Sequence, residues 1–393
     1  MNILFLYERP IIPHMGGVQR VTHILAKEML RRGHDVVFLS TDYDYRTGNN
    51  ENDANATIAK QYFLLSNNNK DIIRKEYYNI LREEEIDIVI NQKPHKDTDY
   101  LLSITSKDIK KISCIHIQPF NTLNYTEKII KYSNKSNWKE SLYLSFCSLF
   151  PWYYKKQNLV KEVARMKRVL NVTDYLCLLS EHFIPRFLEY MPDVDKQKLI
   201  AVNNPAIIEN INPQKYIKEK IIIWVGRQEN VSKNIPAFID IWNILSRNNK
   251  DWRAIIVGDG RDMQYNKNYA KKKSVERLDF VGIQKDVTHY YNTASFLGLT
   301  SLSEGFPMVL IEAMSNGCVP FVYNTFESIN DIIDDGKNGI IVKPFNKEEM
   351  ARRIQEVIDN KDNYVAMQQN AIEKVKTFSI EKIVDKWEEI FKL

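Results

Sequence analysis

Short apolar segments alternate along the chain with segments in which apolar residues recur at helical spacing. The apolar segments are mostly continuous, as is typical of parallel strands that are buried on both faces. One helix is predicted by the spacing of Val21, Ile24, Leu25 and Met29, and Gly33 suits its end. A strand–helix–strand order of this kind predicts doubly wound α/β sheets.

The predicted strands fall into two series. The first series lies at residues 2–7, 35–40, 86–91, 111–117, 175–180 and 199–204, and the second at 221–226, 253–258, 278–282, 295–301, 319–324 and 339–344. Residues 204–213 resemble a connection between two sheets, and the length of 393 residues also favours two domains. We therefore predict a Rossmann-like domain at 1–205, a second at 206–375, and a C-terminal amphipathic helix at 376–393 that packs back on the first.

Two segments interrupt the first domain. Residues 42–60 are polar and rich in asparagine, so we predict a long loop there. The second segment is an insertion at about residues 121–168, which carries a cluster of aromatic residues and a basic patch. Between Lys131 and Arg168, nine basic residues stand against two acidic ones, whereas the net charge of the whole chain is only +5. Because the positive charge is local, the sequence argues against a nucleic-acid-binding protein.

The composition excludes several other classes of protein. Hydrophobic residues make up 44% of the chain and charged residues 27%, which is typical of a globular protein. The four cysteines are widely separated and form no CxxC pair, so neither a zinc site nor a disulfide framework is indicated. We recognise no signal peptide and no apolar segment long enough to span a bilayer. We therefore expect a cytoplasmic protein.

In doubly wound folds, ligands bind at the carboxyl ends of the strands, so the residues that follow the predicted strands are candidates for chemistry. Gly16 and Gly17 open a helix, where backbone N–H groups can approach an anion. His116 stands near the end of an apolar strand. Arg227 follows another strand, with Lys233 six residues later, and such a pair can neutralise a diphosphate. Taken singly, these residues are better explained as a tight turn, a core histidine and surface charges.

The stretch at residues 301–317 carries two carboxylates. Glu304 precedes a predicted apolar helix and Glu312 lies within it, while Pro307 suits the first helical position. Taken alone, the two acids are explained by a capping residue and a solvated helix face. Together with the other candidates they suit a nucleotide-activated sugar, because Glu312 could bind the ribose hydroxyls and Glu304 the hydroxyls of the sugar ring.

The N–H groups at the start of the same helix suit the diphosphate between the two sugars. The predicted donor-binding residues are Gly16, Gly17, Arg227, Lys233, Glu304, Gly305, Phe306, Pro307, Met308 and Glu312. The predicted catalytic residues are His116, Arg227, Lys233 and Glu304. We expect no metal ligand, because the second domain has no cluster of residues at metal-ligand spacing.

Several of these stretches resemble motifs of the retaining glycosyltransferases of family 4. Residues 225–234 resemble the diphosphate-binding strand of that family, and residues 301–320 resemble its two-glutamate motif. Residues 16–36 resemble its glycine loop and first helix, and 335–342 its closing strand. The resemblance implies a GT-B fold, in which two Rossmann-like domains face each other across a cleft. It also implies that His116 lies near the donor sugar and that transfer retains the anomeric configuration without a metal.

The residues and the resemblance together predict a retaining, metal-independent glycosyltransferase. Its donor is expected to be a nucleotide-diphosphate hexose or N-acetylhexosamine, and residues 203–206 resemble those of members that use UDP-hexoses. Its acceptor is expected to be a glycan or lipid-linked molecule in surface polysaccharide or glycoconjugate synthesis. We expect no cofactor, nucleic acid or protein partner. Two alternatives remain open, namely a sugar-nucleotide epimerase of GT-B fold and a non-catalytic sugar-nucleotide-binding protein.

The aromatic residues of the insertion predict one more partner. The large apolar side chains of this run are Leu142, Tyr143, Leu144, Phe146, Leu149, Phe150, Trp152, Tyr153 and Tyr154. The run is too short to span a bilayer but suits its interface, and the lysines on both sides would attract anionic lipid. We therefore predict peripheral contact with the inner face of the plasma membrane through about residues 131–168. The alternative is a pair of aromatic-rich helices that pack over the first domain.

Overall fold

The computed structural model describes residues 1–13, 16–41, 58–64, 69–121, 145–206 and 218–393, and the structural statements below concern those residues. Contacts between Cα atoms divide the chain into two compact units. Unit 1 takes its residues from Met1–Pro119, Val160–Pro205 and Phe378–Leu393, and unit 2 from Phe120–Leu159 and Ala206–Thr377.

Unit 1 is built on a parallel sheet of seven strands. The strands are β1 (Asn2–Tyr7), β2 (Asp35–Ser40), β3 (Lys60–Phe63), β4 (Ile88–Asn91), β5 (Lys110–Ile115), β6 (Tyr175–Leu178) and β7 (Leu199–Ala201). Helices α1 (Gly17–Arg31), α2 (Lys70–Glu83), α3 (Lys96–Ile104), α4 (Pro151–Val172) and α5 (Phe183–Tyr190) connect them, and the first residues of α4 belong to unit 2. The strand order β3-β2-β1-β4-β5-β6-β7 is that of a doubly wound fold.

The core of unit 1 lies around its central strands. In β1, the four consecutive residues Ile3, Leu4, Phe5 and Leu6 are completely buried. Since successive side chains of a strand point to opposite faces, both faces of the sheet are covered. The continuous apolar strands that the sequence shows are therefore explained by burial on two sides.

Unit 2 contains a second parallel sheet, of six strands in the order β10-β9-β8-β11-β12-β13. The strands are β8 (Glu219–Val225), β9 (Arg253–Val257), β10 (Leu278–Gly282), β11 (Ala294–Leu299), β12 (Val319–Tyr323) and β13 (Ile340–Val342). The helices are α6 (Asn230–Lys233), α7 (Ile235–Leu245), α8 (Met263–Lys272), α9 (Thr288–Thr293), α10 (Met308–Ser315), α11 (Ile329–Ile332), α12 (Lys347–Asp359) and α13 (Lys361–Val375).

The chain then returns to unit 1 with helix α14 (Ile380–Lys392), which packs against α1. Arg32, just after α1, donates to a carboxylate oxygen of Asp385 at 2.6 Å. Lys110, at the start of β5, donates through its ammonium group to the carbonyl oxygen of Phe391 at 2.8 Å. The apolar face of α14 is buried, including Trp387. The prediction that the C-terminal helix returns to the first domain is confirmed.

The predicted α/β fold class is confirmed, and each of the twelve predicted strands overlaps a strand of the structure. One strand was not predicted. Strand β3 begins at Lys60, inside the segment expected to be a loop at 42–60, of which residues 42–57 lie outside the described part. Its residues are exposed or only half-buried, because β3 forms the edge of the sheet. An edge strand of this kind needs no apolar run, so the pattern does not reveal it.

The described part of the predicted insertion consists of Asn121, a helical turn at residues 145–149, and helix α4. Residues 122–144 lie outside the described part. The sequence predicts this insertion within the first domain, whereas Phe120, Asn121 and residues 145–159 group with unit 2. One contact that joins Asn121 to unit 2 is the hydrogen bond from its side-chain amide to the carbonyl oxygen of Leu302, at 3.1 Å.

Gly298, in the middle of β11, lies between two aromatic rings of the unit 2 core. A Cβ atom at Gly298 would lie 2.6 Å from atoms of both Phe238 and Phe321. We expect Gly298→Ala to lower the free energy of unfolding by about 1–3 kcal/mol, because both rings must move out of a packed core. Urea unfolding followed by circular dichroism measures the change. Gly17→Ala is the control, because a Cβ there meets no atom within 4 Å. Equal midpoints for the two variants would contradict the expected strain.

Candidate functional site

The loop between β11 and α10 holds the first predicted carboxylate. Glu304 lies in this loop, and Glu312 lies within α10. Pro307 is the N-cap of the helix, with an extended ψ of 105°, so the helix begins at Met308. The expectation that Pro307 is the first helical residue is therefore wrong by one position, because its backbone has not yet entered the helical conformation.

Glu304 is paired with Lys233, from helix α6. The ammonium group of Lys233 donates to a carboxylate oxygen of Glu304 at 2.5 Å, and the hydroxyl of Ser301 donates to the same oxygen at 2.6 Å. The side chains of Lys233 and Glu304 are only 24% and 11% exposed. Water therefore screens this ion pair poorly, and the loss of either partner would leave a largely buried charge.

Two further hydrogen bonds explain why residues 71 positions apart in the chain meet here. The backbone N–H of Leu302 donates to the carbonyl oxygen of Ser232 at 2.7 Å. The hydroxyl of Thr300 donates to the carbonyl oxygen of Asn234 at 3.0 Å. The loop after β11 is thus attached to the turn around α6, and both follow the carboxyl ends of neighbouring strands, β11 and β8.

Glu312 has a partner that the sequence analysis missed. The hydroxyl of Tyr291, on α9, donates to a carboxylate oxygen of Glu312 at 2.9 Å. Tyr291 is buried, and its carbonyl oxygen accepts a hydrogen bond from Lys218 at 2.8 Å. Burial lowers the pKa of Lys218 to about 8. Nothing in the pattern distinguishes Tyr291 from a core tyrosine, so only the fold could reveal its contact with Glu312.

Arg227 lies just after β8, with its side chain 76% exposed. It donates to a carboxylate oxygen of Glu229 at 3.1 Å, and the other oxygen of Glu229 lies 3.2 Å from the guanidinium of Arg261. The loops that carry the two arginines touch: a Cβ at Gly258 would lie 2.0 Å from the carbonyl oxygen of Gly226. Arg261 is therefore a second exposed cation beside Arg227 that the sequence analysis did not single out.

The remaining predicted donor-binding residues of unit 2 lie at the start of α10. Gly305 and Phe306 are in the loop that precedes it, and the carbonyl oxygen of Gly305 accepts a hydrogen bond from Ser328 at 2.5 Å. Phe306 is buried. Met308 is the first residue of the helix. Unit 2 thus gathers two cations and the first carboxylate at the carboxyl ends of β8 and β11, with Glu312 one helical turn further on.

Three predicted site residues belong to unit 1. Gly16 is the N-cap of α1 and Gly17 is its first residue. His116 follows β5 directly, and its Nε2 lies 2.6 Å from the side-chain oxygen of Gln92, which follows β4. Burial lowers the pKa of His116 to about 4. The ring is therefore neutral at pH 7 and acts as a hydrogen-bonding group. Gln92 was missed, although the same rule about strand ends would have selected it.

In the parts of the chain that the structure describes, no group of three or more His, Cys, Asp or Glu side chains is arranged to hold a metal ion. The same parts contain no helix with the length and apolar character needed to cross a membrane.

Two family models match the chain. Glycosyltransferase Family 4 matches residues 15–176, and Glycosyl transferases group 1 matches residues 208–374, so that together they cover most of the chain. The chain belongs to glycosyltransferase family 4. The resemblance inferred from residues 16–36, 225–234 and 301–320 is thereby confirmed.

Curated relatives match this family 4 chain over part of their length. An uncharacterized glycosyltransferase of Haemophilus influenzae is 29% identical over 193 residues, which is 49% of this chain and 54% of the relative. An α-1,4-N-acetyl-D-galactosaminyltransferase of Campylobacter jejuni, named for a PP-undecaprenol-linked glycan, is 26% identical over 43% of this chain and 47% of the relative. The chain thus spans about half the length of the curated relatives that it matches.

Solved structures match this family member over its whole length. A variant of S. aureus TarM, in complex with fondaparinux, α-GlcNAc-glycerol and UDP, has a TM-score of 0.73 and 14% identity, with 100% of each chain covered. The galactosyltransferase WaaB in its apo form has a TM-score of 0.68 and 19% identity, with 100% of this chain and 99% of WaaB covered. At this identity the likeness concerns the fold, which is the GT-B arrangement of two Rossmann-like domains.

Proposed function

We propose that the protein is a retaining glycosyltransferase that moves a hexose or N-acetylhexosamine from a UDP-sugar to a glycan or lipid-linked acceptor. The observation that carries the proposal is the contact between Lys233 and Glu304 at 2.5 Å, because it joins a cation suited to a diphosphate with a carboxylate suited to sugar hydroxyls. The UDP in the TarM complex and the lipid-linked glycan in the Campylobacter name support this choice of donor and acceptor.

Different residues of unit 2 would bind different parts of the donor. Lys233 and Arg227 would neutralise the diphosphate, with Arg261 as a further cation beside Arg227. Glu312, whose carboxylate Tyr291 orients, would accept hydrogen bonds from the ribose hydroxyls. Glu304 would hold the sugar ring, and the N–H groups at the start of α10 would add partial positive charge at the phosphates.

Binding of the donor would rearrange the pair of Lys233 and Glu304. Without donor, the ammonium group is satisfied by the carboxylate. A diphosphate competes for the ammonium group, and the carboxylate it releases can then accept hydrogen bonds from sugar hydroxyls. Lys233 thus exchanges the carboxylate of Glu304 for phosphate oxygens, and Glu304 exchanges the ammonium group for sugar hydroxyls. Both charged groups keep a hydrogen-bonding partner, which lowers the free-energy cost of burying them.

The transfer step proposed here takes place on one face of the sugar. The bond between the anomeric carbon and the phosphate oxygen breaks, and the diphosphate leaves with the bonding electron pair. The acceptor oxygen forms its bond on the same face, and its proton passes to the departing phosphate oxygen. Lys233 and Arg227 stabilise the negative charge that develops on the diphosphate. The neutral ring of His116 would serve as a hydrogen-bond partner of the sugar.

The test of this function is a panel of nucleotide sugars incubated with the protein, with release of the free nucleotide measured over time. Slow hydrolysis of one UDP-sugar, abolished in Lys233→Ala, is the expected result. An epimerase would instead convert a donor into an isomer without an acceptor. A non-catalytic binding protein would bind UDP in calorimetry and leave every donor intact, and either outcome would overturn the proposal.

We further propose that transfer needs no divalent ion and no cofactor, because Lys233, Arg227 and Arg261 can supply the positive charge that a metal would provide. Activity is therefore expected to persist in EDTA at the rate measured with Mg²⁺ or Mn²⁺. The measurement is donor turnover in protein dialysed against EDTA, with and without added metal. Loss of turnover in EDTA that Mg²⁺ or Mn²⁺ restores would show that the cations of unit 2 are insufficient.

A further inference from the structure

The helical turn at residues 145–149 and the start of α4 expose an unusual number of large apolar side chains. Leu149 is 74% exposed and Trp152 is 65% exposed, and Phe146 and Phe150 are also exposed. Cys147 of the same segment is completely buried, and Tyr154 packs against it. The segment thus buries one small side chain while it exposes several large apolar ones.

The aromatic rings of this segment lie next to one another. The ring of Phe146 lies 4.9 Å from that of Phe150 and 5.5 Å from that of Tyr153, measured between centroids. The ring of Tyr153 lies 6.0 Å from that of Trp152. Scattered apolar side chains need no explanation on a protein surface, but a contiguous apolar patch indicates an interaction site. We name the residues Phe146, Leu149, Phe150, Trp152 and Tyr153 the aromatic patch.

Two exposed positive charges follow the aromatic patch along the chain. Lys155 and Lys156, both exposed, follow it on α4. No acidic residue occurs anywhere in residues 145–161. This segment therefore combines aromatic side chains with positive charge and carries no carboxylate side chain of its own. This combination is typical of segments that lie in the interface of an anionic bilayer.

We propose that the aromatic patch, together with Lys155 and Lys156, docks on an anionic phospholipid surface. Aromatic side chains would enter the headgroup region while the two ammonium groups contact lipid phosphates. A second copy of this chain fits less well, because a symmetric contact through the patch would bring the two lysine pairs together. The proposal concerns this surface alone and does not depend on the proposed transfer reaction.

Co-sedimentation with vesicles tests the proposal on the full chain. Wild-type protein is expected to pellet with vesicles of phosphatidylglycerol and phosphatidylcholine in equal parts at low salt, and to remain in the supernatant with phosphatidylcholine alone. Leu149→Ser/Trp152→Ser should lower the partition coefficient more than about tenfold, because it removes the two most exposed side chains of the patch. Ile72→Ser/Ile283→Ser is the matched control, since it removes two exposed side chains elsewhere and should bind like wild type.

A second pair of variants tests the charge. Lys155→Ala/Lys156→Ala should lower partitioning about 25-fold, because each lysine near an anionic surface contributes about a factor of five. Lys271→Ala/Lys272→Ala is the control, because these two neighbouring lysines are exposed at the end of α8 and lie outside the aromatic patch. Raising the salt concentration should weaken the binding of wild-type protein to the vesicles. It should also reduce the difference in partitioning between the two lysine double variants.

Three results would overturn the proposal. The first is wild-type protein that stays in the supernatant with anionic vesicles at low salt. The second is equal pelleting of Leu149→Ser/Trp152→Ser and wild type. The third is a dimer of the wild type in gel filtration that this variant converts to a monomer, because the patch would then bind a second copy. Donor hydrolysis is measured on the same preparations, so that a failure of vesicle binding can be distinguished from a failure of the proposed transferase activity.

Discussion

Lys233→Ala is expected to lower kcat for sugar transfer by about two to three orders of magnitude. Losses of this size follow the removal of a single group that stabilises developing negative charge in an enzyme site. Lys233 is the least exposed of the candidate cations, so water can replace its charge only poorly. The measurement is the steady-state rate with the donor found in the hydrolysis panel. Lys250→Ala, at an exposed lysine of the same unit, is the control and should retain wild-type kcat.

The same variant gives a second signal that does not require activity. Lys233→Ala leaves the carboxylate of Glu304, only 11% exposed, without its cation, so the folded state should be less stable at pH 7. Adding Glu304→Gln should restore the melting temperature but not kcat. An unchanged melting temperature in Lys233→Ala at pH 7 would contradict a stabilising ion pair between Lys233 and Glu304.

Replacing each of the two glutamates by alanine is expected to change a different kinetic constant. Glu312→Ala should raise the KM for the donor by roughly 10-fold to 100-fold with little change in kcat, because the hydrogen bonds proposed between Glu312 and the ribose would be present before and during transfer. Glu304→Ala should mainly lower kcat, since in the proposed site Glu304 would hold the sugar ring, on which positive charge develops during transfer. Initial rates over a range of donor concentrations separate the two constants. Unchanged kcat/KM in both variants would refute the two-carboxylate site.

Tyr291→Phe is the matched control for the ribose half of this prediction. It removes only the hydroxyl that donates to Glu312 at 2.9 Å and keeps the buried ring in place. The KM for the donor should rise, but less than in Glu312→Ala, and kcat should stay the same. A kcat effect without a KM effect would mean that Tyr291 does not act through Glu312.

The strands of the fold could be predicted because both faces of each sheet are buried. β1 and β2 have the predicted bounds, and most of their side chains are buried. β3 could not be predicted in this way, because it is a four-residue edge strand whose side chains are exposed or half-buried. The hydrophobic pattern of a sequence reflects which side chains are buried. A strand with few buried side chains is therefore difficult to recognise from that pattern.

The candidate site was predictable as a set of residues but not as a set of contacts. The rule about strand ends selects His116, Arg227 and Glu304 from the sequence, because each stands at or just beyond the end of a recognisable apolar run. It says nothing about which of them touch. The pairing of Lys233 with Glu304 joins positions 71 apart, and it depends on how two loops are tied together. Such contacts are properties of the folded chain, and no local pattern encodes them.

Helix α14 gives the chain an unusual order of assembly. Unit 1 includes residues 1–119 and also residues 378–393, whereas the bulk of unit 2 lies between them in the sequence. A ribosome that adds about 5–20 residues per second therefore needs roughly 10–30 s after Pro205 before the chain reaches Phe378. During this interval the surface of α1 that later binds α14 is without its partner. Unit 1 thus emerges first but is completed last, so nascent chains of this protein should depend on chaperones at that surface of α1.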